Sequence, residues 1–255
     1  MAFMPFITAG DPNLSVTCRL IEELAAAGAD LIEIGFPYSD PIADGPVIQS
    51  SYTRALSAHL HVAEIFTAIA TVSGKVTAPL VAMVSYAIIF RIGIESFVKQ
   101  AANAGFAGLI VPDLPGDEAA EFHDLALNHG LDLIQLVAPT TPADRSARIL
   151  KNASGFVYCI AVAGTTGTRE SLTPQLADML RTLRSQTDLP LAVGFGLSRP
   201  EQIEQLRGLA DGAIVGSAIV RHLEGLSKDP GSLEVVVDQL VQYARSIAIA
   251  AQVSR

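Results

Sequence analysis

Eight short apolar runs, separated by longer helical patterns, recur along the 255-residue chain and limit the folds open to it. The runs are nearly continuous in hydrophobic residues, as expected of parallel strands covered on both faces. Eight strand–helix units predict a single (β/α)8 TIM barrel over residues 1–255, with a doubly wound open sheet as the alternative. The predicted strands are Phe3–Thr8, Asp30–Gly35, Leu80–Tyr86, Gly108–Pro112, Asp132–Val137, Gly155–Ala161, Leu191–Gly194 and Gly212–Val215.

Charge and patterning narrow the classes of function. A net charge of −9 argues against nucleic acid and anionic membranes as partners. The longest apolar run, Val76–Phe90, is shorter than the roughly 20 residues of a membrane span, and the N-terminus lacks the pattern of a signal peptide. We therefore expect a cytoplasmic protein with reduced thiols, the plastid stroma staying open if a transit segment was removed upstream.

Two acids in the segment "IEIGFPYSDPIADGP" are the first candidates for chemistry. Side chains alternate along a strand, so Glu33 points into the barrel if Ile32 and Ile34 pack under the helices. It then lies near the C-terminal strand ends, where active sites of this fold are found. The alternative is a glutamate paired with an arginine inside the barrel. Asp44 follows in a Pro- and Gly-rich loop, where an aspartate is equally an ordinary turn residue.

Three glycine-containing segments end the last three predicted strands: Ala163–Arg169, Gly194–Gly196 and Val215–Val220. Glycine lets backbone N–H groups approach an anion closely, and barrels often bind phosphate after strands seven and eight. Ser217 adds a hydroxyl donor. We expect a phosphate cradle without cations, and the absence of a GxGxxG pattern disfavours a dinucleotide fold.

Elimination leaves proton transfer by carboxylates on a phosphorylated small molecule. No lysine falls at the C-terminal end of a predicted strand, which argues against a Schiff-base aldolase. His59 and His61 lack the third ligand that a zinc site needs, so no metal site is expected.

Together, "PFITAGDP", "IEIGFPYSDPIADGP", "GLIVPDLP", "FVYCIAVAGTTGTR", "VGFG" and "DGAIVGSAIV" resemble the α subunit of tryptophan synthase over nearly the whole chain. The resemblance implies a lyase that cleaves indole-3-glycerol phosphate to indole and D-glyceraldehyde 3-phosphate. Glu33 would then protonate the indole carbon that bears the side chain and remove the hydroxyl proton of the glycerol chain. Asp44 would accept the indole N–H and stabilise the charge developing there.

Further site residues follow from the resemblance alone, each with the alternative of a plain barrel-core or turn residue. Thr166 matches a residue of the loop after strand six that closes over the substrate. Those matching phosphate contacts are Gly167, Gly196, Gly216 and Ser217, and those matching the indole slot are Phe6, Tyr86, Ile110, Leu136, Tyr158 and Phe195.

The resemblance also implies a partner, a β subunit that carries pyridoxal phosphate and receives the indole in an α2β2 complex; this chain itself would hold no cofactor. The loop with Pro37 and Asp40 would face that partner. Two departures stand out: the usual helix before the first strand, which covers the barrel floor, is missing, and "SYAIIFRIG" lacks an Asn after Tyr86. The alternatives are a free-standing lyase that releases indole, a non-catalytic regulatory subunit and an isomerase of the same fold.

Overall fold

The structure, a computed structural model, describes residues 1–41, 44–161, 173–194, 196–227 and 230–252. Its eight parallel strands close into a barrel in chain order, with β1 pairing with both β2 and β8. The barrel predicted from the sequence is confirmed, and the open sheet is excluded. The strands are β1 Ala2–Thr8, β2 Ile32–Gly35, β3 Leu80–Met83, β4 Phe106–Ile110, β5 Asp132–Val137, β6 Val157–Ile160, β7 Leu191–Gly194 and β8 Gly212–Val215.

Helices follow the strands and cover the outside of the barrel. The first begins after Asn13, which caps it: the Asn13 side chain accepts a hydrogen bond from Val16 N at 3.0 Å. The helices are α1 Leu14–Ala26, α2 Pro46–Ser57, α3 Val62–Val72, α4 Tyr86–Ile92, α5 Ile94–Ala104, α6 Ala120–Asn128, α7 Ala143–Leu150, α8 Pro174–Arg184, α9 Pro200–Gln205, α10 Ser217–Arg221 and α11 Leu233–Gln252.

Strand alternation divides the apolar residues into two cores. The outer core lies between barrel and helices and includes a cluster of four rings, with Phe36 5.5 Å from Phe66 and 5.9 Å from Phe97 and Phe106 between centroids. Burying each such ring stabilises the fold by about 2 kcal/mol. The inner core fills the barrel itself and forms the base of any site at its mouth.

Two buried polar contacts fix α2 to the end of β1. Thr8 Oγ1 lies 2.6 Å from Ser51 Oγ, and the fully buried Asp11 carboxylate accepts two hydrogen bonds from Arg54, at 2.9 Å from Nε and 2.6 Å from Nη2. Burial raises the pKa of Asp11, and Arg54 offsets only part of that effect. The paired contacts hold α2 against the segment that ends β1.

The two ends of the barrel differ. At the N-terminal strand ends a cavity of about 810 Å³ is lined by residues such as Ala2, Leu31, Pro79 and Pro190. No single helix in the described ranges has the length and hydropathy of a membrane span; one pair of segments bent by 101° meets that test only when joined.

Candidate active site

Glu33 occupies the middle of β2 and points into the barrel, as the alternation of the strand requires. It is paired in register with Phe6 on β1 and Val81 on β3, and only 1% of it is exposed. Its Oε1 is buried without a hydrogen-bond partner among the described residues. Burial, reinforced by the nearby Asp44 charge, raises the pKa of Glu33 from 4.5 to about 8. Glu33 therefore holds a proton at neutral pH, and the alternative of an arginine-paired glutamate is not what the structure has.

Asp44 lies in the loop that leads from β2 to α2, where a side chain on α2 holds the backbone. Gln49 Nε2 donates to Asp44 O at 2.8 Å and to Pro41 O at 3.2 Å, and Asp44 N donates to Pro41 O at 3.2 Å. Burial raises the pKa of Asp44 from 3.8 to about 6, so that it is mostly ionised at pH 7. The two acids therefore differ in protonation state although both are carboxyls.

Both acids line one cavity of about 330 Å³ at the C-terminal ends of the strands. The same cavity is bounded by Gly196, Gly216 and Ser217 from the loops after β7 and β8. The structure thus brings together two of the three glycine segments and both carboxyls. The larger cavity at the opposite end of the barrel contains neither acid, so size does not identify the site here.

Apolar side chains of the inner core separate the acids from the glycine loops. Phe6 and Tyr158 line the cavity directly, together with Ile48, Met83 and Ile214. The ring of Phe6 has room beside β2 because that strand continues with Gly35, where a Cβ would collide with the ring. This gives a flat apolar slot that suits an aromatic ligand.

Ile110 and Leu136 stand further from the acids. Ile110 is fully buried in the inner core beneath the cavity, and Leu136 lines an adjoining cavity of about 470 Å³. The adjoining cavity shares Asp44 and Met83 with the first, so the two spaces meet at Asp44.

The structure does not bring Tyr86 to the slot. Ser85 caps α4 by accepting a hydrogen bond from Ala87 N, and Asp113 accepts one from Tyr86 N at 2.7 Å, so the chain turns into a helix instead of extending β3. The Tyr86 ring lies on Phe122, 6.2 Å away between centroids, in the outer layer. Of the remaining expected residues, Thr166, Gly167 and Phe195 lie outside the described residues.

The glycines at the far side of the cavity are arranged to present backbone donors. Gly196 has a φ of 79°, which favours glycine, and Gly216 precedes α10. The first amides bonded within the helix are Ile219 N and Val220 N, both to Gly216 O. The amides of Ser217 and Ala218 therefore remain available toward the cavity.

Among the residues around the site that the sequence did not single out are Tyr52 and Arg221. Tyr52 on α2 is 3% exposed and lines a neighbouring cavity that also contains Asp44; burial, reinforced by the charges of Asp44 and Glu33, raises its pKa well above 10. Arg221 lines the cavity at the end of α10, so the cavity contains a cationic side chain that the sequence analysis did not anticipate. In the sequence Tyr52 and Arg221 look like ordinary helix positions. For Arg221 one signal exists: it follows Ser217 by four residues, which places these two residues on the same helix face.

Within the described ranges, no three His, Cys, Asp or Glu side chains come together as a possible metal site. His59 and His61 lie at the start of α3, where His61 is the N-cap residue.

Comparison with known proteins gives a consistent result. Residues 1–251 match the model of the family described as tryptophan synthase alpha chain. The chain is 49% identical over 223 residues to the tryptophan synthase alpha chain of Picosynechococcus sp., covering 87% of this chain and 84% of that protein. It is 43% identical over 250 residues to the alpha chain of Carboxydothermus hydrogenoformans, covering 97% and 94%.

Solved structures agree with the sequence relatives. A mutant tryptophan synthase alpha-subunit from Pyrococcus furiosus superimposes with a TM-score of 0.86 at 33% identity, covering 96% of this chain and 97% of that one. A chain of the Mycobacterium tuberculosis tryptophan synthase structure in its aminoacrylate-bound form gives 0.85 at 29% identity, covering 98% and 93%.

Proposed function

The chain belongs to the family of tryptophan synthase alpha chains, lyases of tryptophan biosynthesis, and from this premise we propose how its residues cleave indole-3-glycerol phosphate. The reaction is a retro-aldol cleavage to indole and D-glyceraldehyde 3-phosphate that uses neither a metal ion nor a Schiff base. The observation that carries the proposal is that one buried and one half-buried carboxyl, with different pKa values, line the same cavity.

Glu33 performs the acid and base steps. With a pKa of about 8 it carries a proton at neutral pH and donates it to the indole carbon that bears the glycerol chain. The resulting carboxylate then removes the proton of the adjacent hydroxyl group. As that oxygen becomes a carbonyl, the carbon–carbon bond breaks and its electron pair returns to the ring. The net proton count on Glu33 is restored at the end of the cycle.

Asp44 acts on the nitrogen of the ring. Protonation of the ring carbon makes the indole nitrogen electron-poor, so a carboxylate that accepts the N–H stabilises the intermediate. A pKa of about 6 keeps Asp44 charged where Glu33 is still protonated. The proposed mechanism requires one protonated carboxyl to donate a proton and one ionised carboxylate to stabilise positive charge.

The rest of the cavity holds the substrate between its two ends. Phe6 and Tyr158 contact the faces of the indole, with Ile110 and Leu136 behind them, and Gly196, Gly216 and Ser217 bind the phosphate through N–H and hydroxyl donors. We assign Gly167, Thr166 and Phe195 to the same ligand on the family resemblance alone.

We further propose that the chain works in an α2β2 complex with a tryptophan synthase β subunit in the cytoplasm. The related chain from Mycobacterium tuberculosis comes from a tryptophan synthase structure, and one from Pyrococcus furiosus is described as a tryptophan synthase complex. Pyridoxal phosphate would belong to the partner, which takes up the indole, and the loop with Pro37 and Asp40 would face it.

Indole release from indole-3-glycerol phosphate tests the proposal, with and without a β subunit. We expect Glu33→Gln and Asp44→Asn each to lower kcat at least 100-fold, because each removes one proton-handling group. Wild-type rates in both variants contradict the assigned mechanism. High turnover of the wild-type chain alone indicates a free-standing lyase, and no turnover with either preparation indicates a regulatory subunit.

A further inference from the structure

The main cavity carries unlike charges at its two ends. Among the described residues that line it, the ionisable acids and bases are Glu33, Asp44 and Arg221, and of the two acids Asp44 is the one that is mostly charged at pH 7. The carboxyls lie on and just after β2, whereas Arg221 ends α10 beyond β8. A phosphorylated ligand that reaches the acids with its ring therefore turns its phosphate toward the only positive charge of this lining.

Arg221 has no acidic partner in the described part of the chain, in contrast with Arg19 and Arg54. Arg19 binds Glu234 at 2.6 Å, and Arg54 binds Asp11 at the same distance. Arg221 is exposed and forms no such contact. An unpaired guanidinium at a cavity rim is available to an anionic ligand, and its planar donors match the geometry of a phosphate.

A tyrosine on a neighbouring helix helps to locate this charge. Tyr243 on α11 donates a hydrogen bond to Ser198 O at 3.0 Å, and Ser198 itself lines the cavity. Burial raises the pKa of Tyr243 to about 12, and the Arg221 guanidinium acts in the opposite direction. The Arg221 guanidinium is thus close enough to affect Tyr243, which is itself hydrogen-bonded to Ser198 in the segment after β7.

A positive charge at Arg221 offsets the negative electrostatic field around the cavity. The chain has a net charge of −9, and the half-buried Asp44 adds a negative charge to the cavity. A phosphate dianion entering this field is repelled unless a local positive charge opposes it. Neutral N–H donors orient a phosphate, but they do not change the sign of the field at the rim.

We propose that Arg221 is a substrate-binding residue that selects the phosphorylated form of the substrate through its charge. The inference rests on the proposed function, because the phosphate is that of the substrate. Its role is in binding and specificity, not in proton transfer.

Three variants test the proposal. Arg221→Gln removes the charge, Arg221→Lys keeps it, and Arg245→Gln removes one positive charge from an exposed position on α11 that does not line the cavity. We expect Arg221→Gln to raise KM for indole-3-glycerol phosphate about two- to fivefold at low salt, the range of one exposed ion pair, with kcat unchanged. Arg221→Lys and Arg245→Gln should stay near the wild type, and added salt should shrink the difference.

Binding of inorganic phosphate, followed by calorimetry without turnover, separates this inference from the reaction itself. Weaker binding in Arg221→Gln than in Arg245→Gln supports the proposal even if no cleavage is seen. Equal effects of these two variants, on phosphate binding or on KM, overturn it. So does a loss confined to kcat, which indicates a structural change at the acids.

Discussion

The buried proton of Glu33 makes a quantitative prediction about stability. Its ordinary pKa of 4.5 applies to the unfolded chain, whereas the folded chain raises it to about 8. Between these values the folded state binds the proton and the unfolded state does not. The contribution of this group to stability is therefore fully present below pH 4.5 and is lost as the pH rises toward 8. Each pH unit in that interval costs about 1.4 kcal/mol of unfolding free energy.

Replacing Glu33 by glutamine removes this pH dependence while keeping shape and polarity. Over the interval from pH 5 to pH 8 the wild type loses about 3.5 kcal/mol through this one group, after allowance for the curvature near each pKa. Glu33→Gln, which resembles the protonated acid, should therefore exceed the wild type by about 1 kcal/mol at pH 5 and by about 4 kcal/mol at pH 8.

Urea unfolding at both pH values measures the difference. Glu121→Gln, an exposed substitution on α6, is the matched control, and its effect should stay within about 0.5 kcal/mol at either pH. If Glu33→Gln changes stability equally at pH 5 and pH 8, the Glu33 carboxyl does not hold its proton as argued.

Two further predictions concern the pKa values of the two acids and the ion pair between Asp11 and Arg54. The pH profile of kcat/KM should be bell-shaped, with limbs near pH 6, where Asp44 must be ionised, and near pH 8, where Glu33 must be protonated; a rate that still rises above pH 9 contradicts this order. Arg54→Leu should lower the unfolding free energy by about 3 kcal/mol at pH 7 because it leaves the Asp11 carboxylate buried and unpaired. Denaturant titration measures this loss, and most of it should be recovered in the double variant Arg54→Leu/Asp11→Asn.

Strand bounds and side-chain directions were predicted correctly from the sequence where hydrophobic periodicity and position along the strand determine them. The β5, β7 and β8 bounds agree with the prediction to the residue, and the inward direction of Glu33 follows from strand alternation. Elsewhere a single capping contact overrides β propensity, as at Ser85, which starts α4 and turns Tyr86 away from the slot.

Residues such as Tyr52 and Arg221 could not be found by the same reasoning. Each occupies a helix, and a helix position faces the barrel mouth only once the helix has been placed. For α2 that placement depends on two pairs of residues 43 apart in sequence, Thr8 with Ser51 and Asp11 with Arg54. Local pattern carries no information about such pairings.

The two carboxyls belong to parts of the molecule that differ in mechanical stiffness. Glu33 is built into the wall of a closed barrel, so displacing it means shearing two neighbouring strands. The Asp44 backbone accepts one hydrogen bond from the Gln49 side chain and donates one to Pro41 O, and Gln49 also donates to Pro41 O. The gap between the acids can therefore widen or narrow from one side only, and substitutions at position 49 offer a way to adjust the reaction geometry without touching either reacting group.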